Sequence, residues 1–164
     1  MKLNLDTLPA GRSDLDVEIS FERDLEAEAT DRFVADGNLV VDNTVAHVLL
    51  TGELAVRGRY DCDLCLEMFD LTYPAEVEIV IHRTGEDAGD ESDVFEIHQQ
   101  HGPVDLSEAL REAAMIAWPL RTVCNDTCKG ICPTCGRNLN QGSCECSAES
   151  TDPRWDGLPD PTND

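Results

Sequence analysis

The sequence is short of basic residues. Only 12 of its 164 residues are Lys or Arg, against 34 Asp or Glu, and the formal net charge is -22. The lysines are Lys2 and Lys129. Proteins gain affinity for nucleic acid largely by placing Lys and Arg against phosphates, so this composition disfavours direct binding to RNA or DNA. A basic protein is the better electrostatic partner.

Long apolar runs are also missing. No stretch approaches the roughly 20 apolar residues that a membrane-spanning helix needs. The first residues hold no apolar run typical of a signal peptide. We therefore expect a cytoplasmic protein without membrane contact. Disulfides are rare in a reducing compartment, so its cysteines are expected to be metal ligands or redox thiols.

The motifs of common enzymes are absent as well. The sequence contains no P-loop, no G-x-G-x-x-G, no G-x-S-x-G and no H-E-x-x-H. Catalytic zinc usually has histidine or carboxylate ligands and an open coordination position. The four histidines lie outside the cysteine-rich part of the chain, at His47, His82, His98 and His101. We predict a protein that is not an enzyme and has no small-molecule substrate.

Alternating apolar and polar residues predict strands in three places, and residues 94–98 are a further, short strand candidate. The pattern covers residues 14–22, 46–60 and 69–81. The last two flank Cys62 and Cys65, which indicates an antiparallel hairpin with this pair at its tip and Cys62 on the core side. Pro74 predicts a sheet edge at its position. The same alternation places His47 and His82 on solvent faces, and 36–38 (Asp-Gly-Asn) is typical of a turn.

A helix is predicted after these strands. Asp105 and Glu108 have the spacing of a capping box, and an apolar helical face follows until Trp118-Pro119 ends it. The predicted fold class is α+β: an antiparallel sheet with a long hairpin, one packed amphipathic helix and a C-terminal cysteine-rich zinc module. The expected divisions are an α+β domain at 1–120, a metal module at 121–146 and an acidic, mostly flexible tail at 147–164.

Eight cysteines carry the strongest signal in the chain. Their C-x-x-C spacings are typical of metal knuckles. The candidate ligands are Cys124, Cys128, Cys132, Cys135, Cys144 and Cys146, with Cys62 and Cys65 as a further pair.

Three ligand arrangements remain open. In the first, one metal takes Cys132 and Cys135 with two of the other four local cysteines. In the second, Cys62 and Cys65 face Cys132 and Cys135. In the third, all eight cysteines form two four-cysteine sites. Short spacing lowers the entropy of loop closure and favours the first.

Zinc is the expected metal, with iron as the less favoured alternative. Four thiolates suit structural zinc, although C-P-x-C-G also occurs in rubredoxin-type iron proteins. Arg121, Lys129 and Arg137 form the one basic island of the chain and would compensate a negative metal–thiolate group. Contact of these residues with RNA phosphate is the less favoured alternative. A thiol redox switch at Cys144-Glu-Cys146 is a further alternative.

Two motifs resemble a known family. The stretch 62–69, C-D-L-C-L-E-M-F, resembles the C-x-R-C-L-E-x-F signature of the YceD family, the large ribosomal RNA subunit accumulation proteins, with Leu64 in place of the arginine. The stretch 128–140, C-K-G-I-C-P-T-C-G-R-N-L-N, and the tail motif 152–155, D-P-R-W, resemble the same family.

The resemblance implies a role in the synthesis, processing or stability of large-subunit ribosomal RNA, and it implies no enzymatic activity. Joined to the acidic charge, it predicts a non-catalytic assembly factor. Its expected partner is a basic large-subunit ribosomal protein or an assembly complex, with ribosomal RNA contacted only indirectly. The alternative from another class is a metal- or thiol-based redox protein.

Overall fold

The structure, a computed structural model, describes residues 1–22, 32–83 and 95–146. The predicted tail at 147–164 and its Trp155 lie outside these residues. In chain order the elements are β1 (Lys2–Asn4), β2 (Gly11–Glu22), β3 (Arg32–Asn43), β4 (His47–Asp61), β5 (Met68–His82), β6 (Phe95–His98), β7 (Pro103–Asp105) and α1 (Ser107–Ile116).

The predicted α+β class, with a purely antiparallel sheet, is wrong. Strand covers 52% of the described residues and helix only 8%, so the fold is mostly β. Five strands form one sheet in the order β2-β3-β4-β5-β6, and β6 runs parallel to β5, which makes the sheet mixed. β1 and β7 pair separately as a small antiparallel ribbon.

The alternation of side chains divides the large sheet into two faces. The inner face carries the core, which includes Phe33, Leu39, Leu50, Leu54 and Ile79, all almost fully buried. The opposite, outer face carries mainly charged and small side chains. This division follows from the two-residue period of a strand, in which successive side chains point to opposite sides.

One predicted turn proved to be the middle of a strand. Gly37 lies inside β3, where it pairs with Val17 of β2 and Leu54 of β4. A Cβ atom at Gly37 would lie 2.4 Å from the carbonyl oxygen of Glu53. The glycine is required by the close approach of the neighbouring strand and not by a change of chain direction.

The two longest strands behave as the alternation predicted. β4 pairs with β5 without interruption from His47↔His82 to Asp61↔Met68. The same parity carries the chain to Cys62, which is fully buried, as expected. Because β6 pairs only with residues 79–82 of β5, no described strand covers the other side of Pro74, which confirms the predicted edge.

Helix α1 covers the inner face. Its Ala109, Leu110 and Ala114 are buried, and the hydroxyl of Tyr73 donates to the carbonyl of Ala114 at 2.8 Å. The predicted capping box does not form. Leu106 is the N-cap residue and makes no side-chain capping bond. The Asp105 carboxylate instead accepts from the N–H of Ser107 at 3.0 Å.

Trp118 ties the end of the helix to the sheet. Its ring lies 4.6 Å from the ring of Tyr60 and 5.5 Å from that of Phe33, between ring centroids. Trp118 therefore packs at the edge of the core. The cysteine-rich chain therefore starts from a fixed point near the end of β4. No helix in the described ranges is long and apolar enough to cross a membrane.

Candidate metal centres

Two turns of the chain have the same backbone geometry. In the loop between β4 and β5, residues 62–67, the N–H of Leu66 donates to the carbonyl of Cys62 at 2.8 Å. In the second turn the N–H of Gly136 donates to the carbonyl of Cys132 at 2.8 Å. The fifth residue of each turn has a positive φ, 61° at Leu66 and 72° at Gly136. Both turns are knuckles that direct two cysteine side chains to one point.

The cysteine segment, residues 121–146, is fastened to the β4–β5 loop by hydrogen bonds. The N–H of Asp63 donates to the carbonyl of Thr122 at 2.8 Å, and the Thr122 hydroxyl donates to the carbonyl of Asp61 at 2.9 Å. Further along, the N–H of Ile131 donates to the carbonyl of Leu64 at 2.9 Å. These contacts bring residues far apart in sequence into one site.

The first cluster combines the loop with the start of the segment. The Sγ atoms of Cys62, Cys65, Cys124 and Cys128 lie within 4.8 Å of one another. Sγ of Cys62 is 3.9 Å from Sγ of Cys128, and Sγ of Cys65 is 3.8 Å from Sγ of Cys124. A tetrahedral metal with bonds of about 2.3 Å to sulfur requires sulfur–sulfur distances of about 3.8 Å. The cluster therefore fits a four-thiolate metal site.

The second cluster lies entirely within the segment. The Sγ atoms of Cys132, Cys135, Cys144 and Cys146 also lie within 4.8 Å of one another. Cys132 is buried and Cys135 is exposed, whereas Cys62 and Cys65 of the first cluster are both buried. The second cluster is thus the more open of the two, and it too could hold a metal ion.

The electrostatics of both clusters favour a cation. Burial raises the pKa of Cys62, but hydrogen bonds to its sulfur, the largest from the N–H of Cys124, lower the pKa to about 6. Burial and neighbouring sulfurs raise the pKa of Cys124 to about 12. In the second cluster, backbone N–H groups led by that of Cys135 lower the pKa of Cys132 to about 6, while the Cys135 sulfur raises that of Cys146 to about 12. A metal ion bound among the four sulfurs of either cluster would stabilise all four of them in the thiolate form.

Two asparagines support the first cluster and were not singled out from the sequence. Nδ2 of Asn125 donates to Sγ of Cys124 at 3.3 Å, and Nδ2 of Asn140 donates to Sγ of Cys128 at 3.3 Å. Such bonds stabilise thiolates and orient metal ligands. Asn125 adjoins Cys124 in the sequence, whereas Asn140 lies twelve residues after Cys128 and ends the stretch 128–140 that resembles the YceD family.

The observed grouping corresponds to the third of the three arrangements. The short-range arrangement favoured by spacing alone does not describe the geometry, because Cys124 and Cys128 lie with the distant pair Cys62 and Cys65. Metal occupancy of these eight cysteines stays a prediction. The basic residues of the island, Arg121, Lys129 and Arg137, are all exposed.

The histidines take no part in either cluster. His47 is exposed, as predicted. His82 was predicted to face solvent, but its side chain is only 14% exposed. Its ring stacks on that of His98 at 5.1 Å, and Nε2 lies 3.8 Å from the carboxylate of Glu96. The added strand β6 covers this end of β5, which the alternation of β5 alone could not indicate.

Comparison with known proteins gives one family and two relatives. The family model described as "Large ribosomal RNA subunit accumulation protein YceD" matches residues 50–160. A chloroplastic "Large ribosomal RNA subunit accumulation protein YCED homolog 1" of Arabidopsis thaliana is 35% identical over 49 residues, which is 30% of this chain and 15% of the relative.

The protein of the same name from Zea mays is 46% identical over 44 residues, covering 26% of this chain and 15% of the relative. The matched part of the chain thus spans only a small fraction of these curated relatives. No solved structure matches the chain.

Proposed function

Because the chain belongs to the YceD family of large ribosomal RNA subunit accumulation proteins, we propose that it supports the accumulation of large-subunit ribosomal RNA as a non-catalytic factor. The family description and the names of both relatives support this role. The all-cysteine clusters support a non-catalytic role, because four protein ligands leave a zinc ion no open position for substrate.

The proposed mode of action is binding to a basic ribosomal or assembly protein. The observation that carries this proposal is the charge of the outer sheet face. The outward positions of β2 to β5 hold the acids Asp14, Asp16, Glu18, Glu22, Asp36, Asp42, Glu53, Asp61, Asp70, Glu76 and Glu78, against Arg12, Arg32, Arg57 and Arg59. Two of these arginines are already paired, Arg57 with Asp36 and Arg59 with Asp70. Such a face repels phosphate and attracts a basic protein.

Zinc is proposed for both clusters, with a structural role. The exposed part of the cysteine segment has few apolar side chains to form a core of its own, so metal binding would supply much of its folding free energy. The metal ion of the first cluster would hold the segment on the β4–β5 loop, and that of the second would order residues 132–146. The segment would then present the basic island, while the outer sheet face contacts the protein partner.

The test is a pull-down of the tagged protein from its own host, with and without ribonuclease. We expect a basic large-subunit protein that stays bound after ribonuclease treatment. If instead only precursor ribosomal RNA is recovered, and ribonuclease removes it, RNA contact through Arg121, Lys129 and Arg137 replaces the protein-partner mechanism.

A redox function is the second candidate, and the exposure of Cys135 favours it. A thiol that solvent reaches is the kind that oxidants attack first. Metal analysis with an absorption spectrum separates the two candidates. Iron with visible absorption, or a disulfide that forms and reduces reversibly, supports the redox protein. Tightly held, colourless zinc supports the structural role.

A further inference from the structure

The outer edge of β5 is open along most of its length. β6 pairs only with residues 79–82, so no described strand lies beside residues 68–78. The hydrogen bonds at the end of β5 show which backbone groups face this edge. The carbonyl of His82 accepts from Gln99 after β6, whereas the N–H of Arg83 donates to Ala46 before β4.

Since strand backbone groups alternate in direction, the even-numbered residues of β5 present their N–H and C=O groups to the open edge. Thr72 and Glu76 therefore offer backbone donors and acceptors there, and Pro74 offers a carbonyl alone. Unpaired edge groups of this kind are a template for an added strand.

A cleft of about 890 Å³ runs along the same edge. Its acidic lining residues, Glu53, Glu76 and Glu78, lie on the outer face, while Phe95 and Ile116 lie on the side of the helix. Ile116 is 75% exposed, a large apolar side chain without cover among the described residues. The cleft thus has a carboxylate side and an apolar side, separated by the plane of the sheet.

The carboxylate side repels itself. Glu53 and Glu76 are direct partners across β4 and β5, and Glu78 follows Glu76 on the same face. Like charges directly opposite each other destabilise a sheet. A cation placed between them would remove this repulsion, so the site favours a positively charged occupant.

We propose that this edge cleft binds an extended Lys- or Arg-rich segment of a partner protein, which adds to β5 as a further strand. An added strand alternates its side chains between the two faces of the sheet. Basic side chains at every second position lie against Glu76 and Glu78. Apolar side chains at the intervening positions lie over Phe95 and Ile116. This inference rests on the proposed function and specifies the surface and the chemistry of its partner.

The first experiment uses a fluorescent peptide in which Lys and Val alternate, with the full chain as receptor. The paired variant Glu76→Lys with Glu78→Lys should weaken binding by at least about tenfold, since two ion pairs become two repulsions. The matched control, Asp14→Lys with Glu18→Lys, makes the same charge change on β2 of the same face and should change affinity less than about threefold. Equal loss in both pairs would overturn the proposal, because binding would then depend only on overall charge.

Two changes test the strand geometry separately from charge. Methylation of alternate peptide nitrogens removes N–H donors and keeps every positive charge, so it should abolish binding when the methylated edge faces β5. Ile116→Ser should weaken binding without loss of folding, because that side chain is mostly exposed. If peptides methylated along one edge or along the other both bind as well as the original peptide, strand addition is refuted. If the free protein forms dimers and Glu76→Lys disrupts them, the occupant of the edge is a second copy of this chain and not a partner protein.

The second experiment uses the large-subunit proteins extracted from the host's ribosomes. Retention by the unmodified chain and by the β2 control, with loss in the β5 variant, supports the edge cleft. Equal retention by all three chains overturns the cleft and leaves the proposed function in place. No retention by the unmodified chain overturns the protein-partner function itself. The two failures are therefore distinguishable.

Discussion

Zinc bound at the first cluster should stabilise the sheet, whereas zinc at the second should not. The first cluster closes only when Cys65 in the β4–β5 loop meets Cys124, 59 residues later in the chain. Binding there requires the folded sheet. All four cysteines of the second cluster lie within residues 132–146. We therefore expect this cluster to assemble whatever the state of the sheet.

The expected magnitude follows from mass action. A ligand that binds only the folded state adds RT ln(1 + [L]/Kd), which is about 1.4 kcal/mol for each tenfold rise in free zinc and about 4 kcal/mol at 1,000 times Kd. The free energy of unfolding of the sheet should rise with this slope in the unmodified chain. Cys132→Ser should keep the slope, and Cys128→Ser should abolish it.

Urea unfolding at chelator-buffered zinc concentrations measures this slope. Trp118 is a suitable reporter because its ring packs on Tyr60 and Phe33, and Trp155→Phe removes the other tryptophan signal. Cys132→Ser is the matched control, since it also removes one thiolate from a four-cysteine cluster. If Cys132→Ser abolishes the dependence of stability on zinc, or if Cys128→Ser leaves it intact, the reasoning is refuted. The first cluster would then not be the one whose metal depends on the folded sheet.

Three further predictions concern single residues. Gly136→Ala forces a side chain into a positive φ, although the space around it is open, so it should weaken zinc retention by the second cluster by about 1 kcal/mol, measured by chelator competition. Leu66→Asn, at the equivalent turn position, should leave zinc retention by the first cluster unchanged. Glu76→Lys should raise the free energy of unfolding by roughly 0.5 kcal/mol in low salt, because the repulsion between residue 76 and Glu53 becomes an attraction. A lower urea midpoint for the variant would contradict the placement of both side chains on the outer face. Hydrogen bonds from the backbone and side chain of Ser107 lower the pKa of Asp105 from 3.8 to about 2, so the stabilising effect of the Asp105 carboxylate is present above pH 4 and is lost as the pH falls towards 2. Asp105→Asn should flatten the stability-versus-pH curve between pH 4 and 2. A stability difference between variant and parent that stays constant over this range would argue against the contact.

Alternation along single strands predicted the parts of the fold that local physics decides. The buried parity of β4 extended correctly to Cys62, and Pro74 indicated an edge because proline lacks an N–H. Both conclusions need only the period of a strand and the chemistry of one residue.

The errors arose where distant segments decide the structure. Gly37 has the local sequence of a turn, but the strand that packs against it selects glycine for its size. His82 has the pattern of a solvent-facing residue until β6 arrives beside it. The α+β prediction is wrong because the amphipathic pattern after the strands forms only one ten-residue helix, and because the turn-like sequence around Gly37 lies inside strand β3.

The metal clusters show the same limit. Spacing identified all eight candidate ligands, but loop-closure entropy favoured local partners for Cys124 and Cys128. Hydrogen bonds from Asp63 and Thr122 instead bring the β4–β5 loop to the segment. The folded sheet therefore already holds the ends of the long loop together, so metal binding does not bear the entropy cost of closing it. Ligand spacing alone does not include this contribution.

The division of one cluster between two distant parts of the chain also sets an order of events during synthesis. Cys62 and Cys65 leave the ribosome well before Cys124, and 59 residues at about 5–20 residues per second take roughly 3–12 s. For that interval a nascent chain carries half a metal site. If the proposed zinc binds here, it can complete the site only after Cys124 and Cys128 have emerged, so metal capture follows the synthesis of the sheet and the helix. A shortage of zinc would therefore act on newly finished chains first, before it reached the mature population.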